Sequence, residues 1–253
     1  EALKGVAGAV EIAVMDLADL ASVVAFAKSV RDATPALHLL INNAGIMACP
    51  LERIGKGWES QFATNHIGHF VLARELAPLL RKAGNARVVA LSSLAHRRSD
   101  ILWDDPHFLK TPYEKWTAYG QSKTANALFA VGLDAREKAH GVRAFAVHPG
   151  GILTPLQRHL QNEEMVAIGW VDETGELTPR AKEMFKSPSG GAATTLWCAT
   201  SPRLAGEGGV YCEDCDFATL SAGKGSPTGE VKPYAVDPEA AARLWAMTEA
   251  MLG

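Results

Sequence analysis

Three short, almost unbroken apolar runs limit this chain more than any other feature. They are Leu37-His38-Leu39-Leu40-Ile41, Arg87-Val88-Val89-Ala90-Leu91 and Val142-Arg143-Ala144-Phe145-Ala146-Val147, ending respectively in Asn42-Asn43-Ala44-Gly45, Ser92-Ser93 and His148-Pro149-Gly150-Gly151. A strand that is apolar on successive residues has both faces covered, which is the signature of a parallel sheet rather than a half-wetted antiparallel one. Helix-length segments separate the runs: a long stretch over 58–81 and another around Tyr119. Ahead of them Val10-Glu11-Ile12-Ala13-Val14-Met15 reads as a further short strand ending at Asp16-Leu17. Asp19 then caps a helix with the apolar stripe Leu20, Val23, Val24, Ala27 and Val30, which Pro35 stops. Strand and helix alternating in this way predict an α/β fold, a Rossmann-like doubly wound parallel sheet with right-handed crossovers and helices on both faces. Ligands of such sheets bind beyond the carboxyl ends of the strands. Asp16, Asn43, Ser93 and Pro149-Gly150 all fall there.

The remaining chain fits one domain spanning residues 1–253. Over 151–187 the pattern weakens, with Gly169, Trp170 and Gly175 among charged residues, as expected of a substrate lid. Residues 188–200 read as a helix, Gly208-Gly209-Val210-Tyr211 as the approach to a last strand, and Asp237-Pro238-Glu239 as the capped start of a helix striped by Leu244, Trp245, Thr248, Met251 and Leu252. A net charge of -3 with both signs mixed along the chain gives no basic stripe, so no nucleic-acid partner is expected. No apolar run approaches the roughly 18 residues of a membrane span, and four scattered cysteines are no disulfide framework. The expectation is a cytoplasmic protein acting on a small molecule, with no membrane partner.

Tyr119 and Lys123 lie one helical turn apart on one face. A phenol is a weak acid or base at neutral pH, and a neighbouring ammonium favours its ionised form, so the pair can pass a proton to or from an alcohol oxygen. Other chemistry-bearing residues have plainer readings. Cys212 and Cys215 have the spacing of half a zinc site with no second pair, His66 and His69 lack a third ligand, and no metal site is expected. His148 reads as packing, and Trp103 and Trp170 fall where an apolar substrate pocket is expected.

Taken in order, Asn42-Asn43-Ala44-Gly45, Asn65, Ser93, Tyr119-x-x-x-Lys123 and Pro149-Gly150-x-x-x-Thr154 resemble the short-chain dehydrogenase/reductase family. The stretch Gln61-Phe62-Ala63-Thr64-Asn65-His66-Ile67-Gly68-His69-Phe70, the Ser93-x-Ala95-His96 turn and the insert between Ser93 and Tyr119 are similar to the branch containing retinol dehydrogenases and the oxidoreductase domain of WW-domain oxidoreductase. The resemblance implies interconversion of an alcohol and a carbonyl, on a hydrophobic substrate, with NAD or NADP. It assigns Ser93 to holding the substrate oxygen, Tyr119 to proton transfer, Lys123 to lowering the tyrosine pKa and binding the nicotinamide ribose, and Asn65 to a water linking Lys123 to solvent. For the cofactor it implies Asp16 and Leu17 at the adenine, Asn43, Ala44 and Gly45 under the ribose and nicotinamide, Pro149 and Gly150 against the ring, and Ile152 and Thr154 at the carboxamide. Asn42 is expected to bond a neighbouring strand instead. A homodimer through the helices over 58–81 and 117–139 is implied as well.

The family pattern opens with a strand and a glycine-rich turn for pyrophosphate, and no such turn matches here. The glycines of Gly223-Lys224-Gly225-Ser226-Pro227-Thr228-Gly229 follow no clear strand. The expectation is therefore an N-terminally incomplete fold lacking about 50 to 60 residues, two strand–helix units by their usual length. Two rival readings are an extended-type epimerase or dehydratase sharing the tyrosine and lysine, and a catalytically idle dinucleotide-binding scaffold. Against the first stand the Asn42–Gly45 turn and the absence of a larger C-terminal domain; against the second stands the complete set Asn65, Ser93, Tyr119 and Lys123.

Overall fold

The computed structural model describes residues 8–222 and 228–253. The opening Glu1-Ala2-Leu3-Lys4 and residues 223–227 of the late glycine cluster lie outside the described residues.

Helix α1 (Leu20–Ala33) starts at Asp19, whose carboxylate accepts from the Ala21 amide, and leads to strand β1 (Leu39–Asn42). A small hairpin follows, β2 (Arg53–Ile54) against β3 (Trp58–Glu59). The helix expected from Trp58 begins later, because Trp58 and Glu59 are extended and the Glu59 carboxylate caps α2 (Ser60–Phe62) by accepting from the Gln61 and Phe62 amides. One π-helical turn, Ala63–Ile67, separates α2 from α3 (Gly68–Ala83). Then come β4 (Arg87–Leu91), α4 (Lys115–Glu137) and β5 (Arg143–His148).

An excursion follows in which β6 (Gly151–Ile152) leaves the sheet and helices α5 (Asn162–Ala167) and α6 (Pro179–Met184) form. Strand β7 (Phe185–Lys186) returns parallel to β6 and closes the excursion at its base. Helix α7 (Pro188–Thr200), strands β8 (Val210–Glu213) and β9 (Asp216–Phe217), and helix α8 (Pro238–Leu252) complete the chain.

The main sheet runs β1-β4-β5-β8-β9, parallel except for the β8–β9 hairpin. Alternate residues serve opposite faces. Val88, Ala90, Ala144, Ala146 and Tyr211 pack with α3 and α4, whereas Val89, Leu91, Phe145, Val147 and Cys212 pack with α7 residues Cys198 and Ala199. That two-residue period inside all-apolar strands is why the runs carry no polar alternation. Helix α8 lies across α3 and α4, with Trp245 stacked on Phe129 and edge-on to Phe70.

Two expectations fail at the β1 side. Leu39 and Ile41 are each 40% exposed, since α7 contacts β4, β5 and β8 and leaves that face of β1 bare. Residues 10–15 form no strand, and Ile12 and Val14 are 88% and 94% exposed. Propensity alone does not make a strand; the backbone needs a partner, and among the described residues none pairs with this run. Trp103 is also displaced from its expected place: it packs with Ile101 and Leu128 under the Arg243 guanidinium, away from the site described next. Among the described residues no helix is long and apolar enough to cross a membrane, and no three His, Cys, Asp or Glu gather as a metal site.

Candidate active site

The carboxyl end of β4 and the first half of α4 meet at Tyr119. Helix α4 is started by Glu114, whose carboxylate accepts from the Trp116 and Thr117 amides. The two serines after β4 part company. Ser92 donates to the Lys123 carbonyl at 2.7 Å and so staples the strand end to the helix. Ser93 caps the 3-10 turn Leu94–Arg98 by accepting from the Ala95 amide at 3.1 Å, and its side chain neighbours the Tyr119 phenol.

Tyr119 and Lys123 are both buried. Burial pushes the Tyr119 phenol up to about 12, and the neighbouring Ser93 is what pulls the other way. Lys123 does not have the expected effect on it in this structure. Its ammonium is 5.6 Å from the phenol ring centroid, donates to the Leu91 carbonyl at 2.9 Å, and is itself lowered by burial to about 8.

Asn65 sits in the π-helical turn with its side-chain amide bonded to Ile46 and Ser122. Its Oδ1 accepts from the Ile46 amide and its Nδ2 donates to the Ile46 carbonyl and the Ser122 hydroxyl, each at 2.9 Å. Its own carbonyl accepts from His69 Nδ1 at 2.9 Å, which assigns the proton to Nδ1; burial holds that imidazole neutral, at about 4. His66 Nε2 meets the Thr248 hydroxyl among Phe62, Phe70 and Phe129, so both histidines are core residues.

Of the positions expected to hold the cofactor, Gly45 fits best. A Cβ there would lie 2.9 Å from Asn65 Oδ1 and 3.8 Å from Lys123 Nζ, so only glycine lets the backbone pass between these two side chains. Asn43 and Ala44 carry the chain from β1 to it. Asp16 makes an Asx turn ahead of α1, its carboxylate accepting from the Ala18 amide, and Leu17 is buried against α3. Pro149 and Gly150 stand at the end of β5, where the Lys186 side chain, ion-paired with Asp214, lies over Gly150. Ile152 is in β6, and the Thr154 hydroxyl caps the turn Pro155–His159 by accepting from the Leu156 amide. Asn42 does not make its expected bond: both polar atoms of its side chain are buried and lack a partner among the described residues. The residues present thus suit the ribose and nicotinamide end of a dinucleotide, with bare glycine backbone, a buried ammonium and a phenol at the strand ends.

An apolar cluster closes over the phenol. Met47, Ala48 and Leu160 are buried with Tyr119, and Trp116, Leu156, Met165 and Trp170 pack around them. The rings form a chain of edge contacts, Tyr119 to Trp116 at 6.3 Å, Trp116 to Trp170 at 6.5 Å and Trp170 to Phe185 at 5.3 Å. Lys115 of α4 pairs with Glu164 of α5 and ties the excursion to the helix. Trp170 was visible in the sequence as a pocket residue. Trp116 was readable from its position one turn before Tyr119, whereas Met47 and Leu160 had no local signal.

Comparison with known proteins agrees with this geometry. The family model described as short chain dehydrogenase matches residues 1–165. A protein of Streptomyces lividans described as a probable oxidoreductase is 47% identical over 247 residues, which cover 97% of this chain and 81% of that protein. Human retinol dehydrogenase 14 is 35% identical, with 98% of this chain and 69% of that protein covered. The crystal structure of an uncharacterized protein from Mycobacterium paratuberculosis superposes with a TM-score of 0.69 at 34% identity, covering 99% of this chain and 78% of that one. A chain with a parallel sheet carrying tyrosine and lysine on the helix after β4, and matched by these relatives over nearly its whole length, belongs to the short-chain dehydrogenase/reductase family, in its retinol-dehydrogenase-like branch.

Proposed function

We propose that this enzyme interconverts an alcohol and a carbonyl on a small hydrophobic substrate, using NAD or NADP. The observation that carries the reading is a buried phenol, acidified by the neighbouring Ser93, inside an apolar cluster made by Met47, Leu160 and Trp170. The dinucleotide, when bound, supplies or takes the hydride at the substrate carbon. The protein's own part is to manage the negative charge that grows on the substrate oxygen. Ser93 and Tyr119 donate hydrogen bonds to it, and such preorganised donors in a dry site lower the barrier more than water does. Tyr119 gives its proton in reduction and accepts one in oxidation. With the phenol at about 12 it is protonated at neutral pH, so reduction finds its acid ready and oxidation speeds up as pH rises.

Lys123 supplies positive charge behind the phenol and a donor for the ribose, while Asn65 holds the Ile46 peptide beside it. Asp16 and Leu17 serve the adenine, Asn43, Ala44 and Gly45 the ribose and nicotinamide, and Pro149, Gly150, Ile152 and Thr154 the ring and its carboxamide. This last group needs the Lys186 side chain to leave Gly150. Residues 151–187 act as the substrate lid, latched by Lys115 and Glu164. A homodimer through α3 and α4 has to use the surface that Trp245 and Leu244 of α8 leave free, and light scattering reads its stoichiometry directly.

Tyr119→Phe is the test. Turnover of an aliphatic aldehyde such as nonanal falls by about 100- to 10,000-fold, the usual worth of a positioned general acid, while affinity for NADH or NADPH stays within about twofold because the ring still packs. Unaltered turnover in that variant removes Tyr119 from the mechanism.

A further inference from the structure

The four residues Ile46, Met47, Ala48 and Cys49 follow the Gly45 turn and run through the apolar cluster around Tyr119. Their backbone is gripped from several sides. Asn65 takes both the amide and the carbonyl of Ile46. The Ala48 amide donates to Gln61 Oε1 at 2.8 Å, and the Cys49 carbonyl accepts from the Tyr113 hydroxyl at 3.0 Å. Ala48 is fully buried and has a φ of 50°, a left-handed conformation that side chains other than glycine's avoid. Such strain persists only where the surroundings over-determine the backbone, and it gathers at sites where position matters.

Gln61 can act only one way round. It is completely buried, and its Nε2 donates to Tyr113 Oη at 2.9 Å and to the Lys115 carbonyl at 3.0 Å. Turning the amide over would set its NH2 against the Ala48 amide and its oxygen against the Lys115 carbonyl. Tyr113 in turn is held by Glu59, whose Oε1 lies 3.2 Å from the phenol oxygen while the carboxylate caps α2. A buried network with every member satisfied fixes geometry rather than merely adding stability. Within the gripped stretch, Met47 sends its side chain into the cluster with Tyr119 and Leu160.

We propose that Met47 is the residue that sets which substrates reach Tyr119, and that Gln61, through the left-handed turn at Ala48, is the positioning residue that sets the height of Met47. The proposal rests on the functional reading above, in which Tyr119 faces the substrate oxygen. An unbranched thioether on a fixed backbone occupies the space next to Tyr119, leaving room for linear chains and not for branched ones.

The experiment compares kcat/KM for nonanal and for the branched pivaldehyde, with hydrogen–deuterium exchange at residues 46–49 as a second readout. Met47→Ala shifts the preference toward pivaldehyde by about tenfold, the scale at which a small change of pocket volume discriminates substrates, without changing exchange at Ala48. Gln61→Leu shifts it in the same direction and speeds exchange of the Ala48 amide by at least about tenfold. Adding Ala48→Gly to Gln61→Leu brings the preference back to within about threefold of wild type, because glycine takes the left-handed turn without a clamp.

An unchanged preference in Met47→Ala overturns the specificity role, and that variant is a cavity mutant expected to fold. Failure of Ala48→Gly to rescue a folded Gln61→Leu overturns the positioning role. If Gln61→Leu does not fold, Gln61→Met, closer in shape and likewise without the oxygen that meets the Ala48 amide, takes its place; the same shift of preference and faster exchange are then expected, and a shifted preference with unchanged exchange overturns the mechanism. A fully active Tyr119→Phe sinks the functional reading while these exchange results stand, so the two failures are told apart.

Discussion

Gly120→Ala tests how closely the 3-10 turn must approach the tyrosine helix. Gly120 sits in α4 next to Tyr119, and a Cβ there would lie 2.7 Å from the Ala95 carbonyl oxygen, 3.1 Å from Arg98 Cβ and 3.3 Å from the Ser99 amide. Ordinary carbon–oxygen contact needs about 3.3–3.6 Å, so the turn and the helix must part by about 0.6–0.9 Å. Two of the three obstacles are backbone and cannot rotate away. Nor is the turn free to drift, since the Thr124 hydroxyl, with its one proton, donates to the Ser99 carbonyl at 2.7 Å with the His96 carbonyl 3.2 Å away, and Tyr234 donates to the His96 carbonyl at 2.8 Å.

The stability cost is therefore modest. Overpacking costs about 1–3 kcal/mol, and alanine regains about 1 kcal/mol over glycine inside a helix, leaving a net loss of about 0–2 kcal/mol. The functional cost is larger, because the turn is capped by Ser93 and the displacement separates Ser93 from Tyr119. Misplacement by about 1 Å costs on the order of 100-fold in rate, so kcat is expected to fall about 10- to 100-fold with the urea midpoint little changed. Steady-state kinetics and equilibrium urea unfolding on the same preparation decide it. A folded Gly120→Ala enzyme with kcat within about twofold of wild type would refute the argument that this contact sets the Ser93–Tyr119 geometry.

Lys123→Met should abolish turnover and stabilise the fold. Burial lowers the lysine from 10.5 to about 8, which corresponds to a few kcal/mol of cost for keeping the charge, and the Leu91 carbonyl retains Asn126 Nδ2 as a donor at 2.9 Å. The sign follows from linkage: between about pH 8 and 10.5 the unfolded chain holds more protons than the native one, so the wild type gains stability as pH rises through that window. The advantage of Lys123→Met, about 1–3 kcal/mol at pH 7, should shrink over the same range, and an advantage that is absent or grows with pH refutes the assignment. Asp134→Asn acts at the opposite end of the sheet. Its buried carboxylate accepts from Arg143 Nε and Nη2 at 2.8 and 3.1 Å and from the Ala144 amide at 3.1 Å. Weakening that grip should cost about 2–3 kcal/mol in urea unfolding while kcat stays at its wild-type value.

The sequence determined the elements whose causes are local. The apolar runs 39–42, 87–91 and 143–148 became parallel strands, Asp19 and Asp237 began helices, and α7 runs over the residues read for it. Tyr119 and Lys123 lie one turn apart because helical periodicity leaves no other arrangement. The crevice at the strand ends follows from topology, which parallel strands joined by crossovers dictate.

Tertiary structure decided everything that depends on what lies across a gap. Residues 10–15 have strand propensity and no partner, and Leu39 and Ile41 have strand geometry and one bare face, because pairing and cover come from other segments. Trp103 and Trp170 look alike in the sequence, yet one packs under Arg243 and the other beside Trp116. The direction of the Tyr119 pKa was also decided in three dimensions: helical spacing brings an ammonium near, but burial outweighs it when that ammonium is turned to Leu91. Periodicity is a property of neighbours in the chain, whereas burial, desolvation and the grip on Ala48 arise between residues far apart in it, and only the folded molecule brings those together.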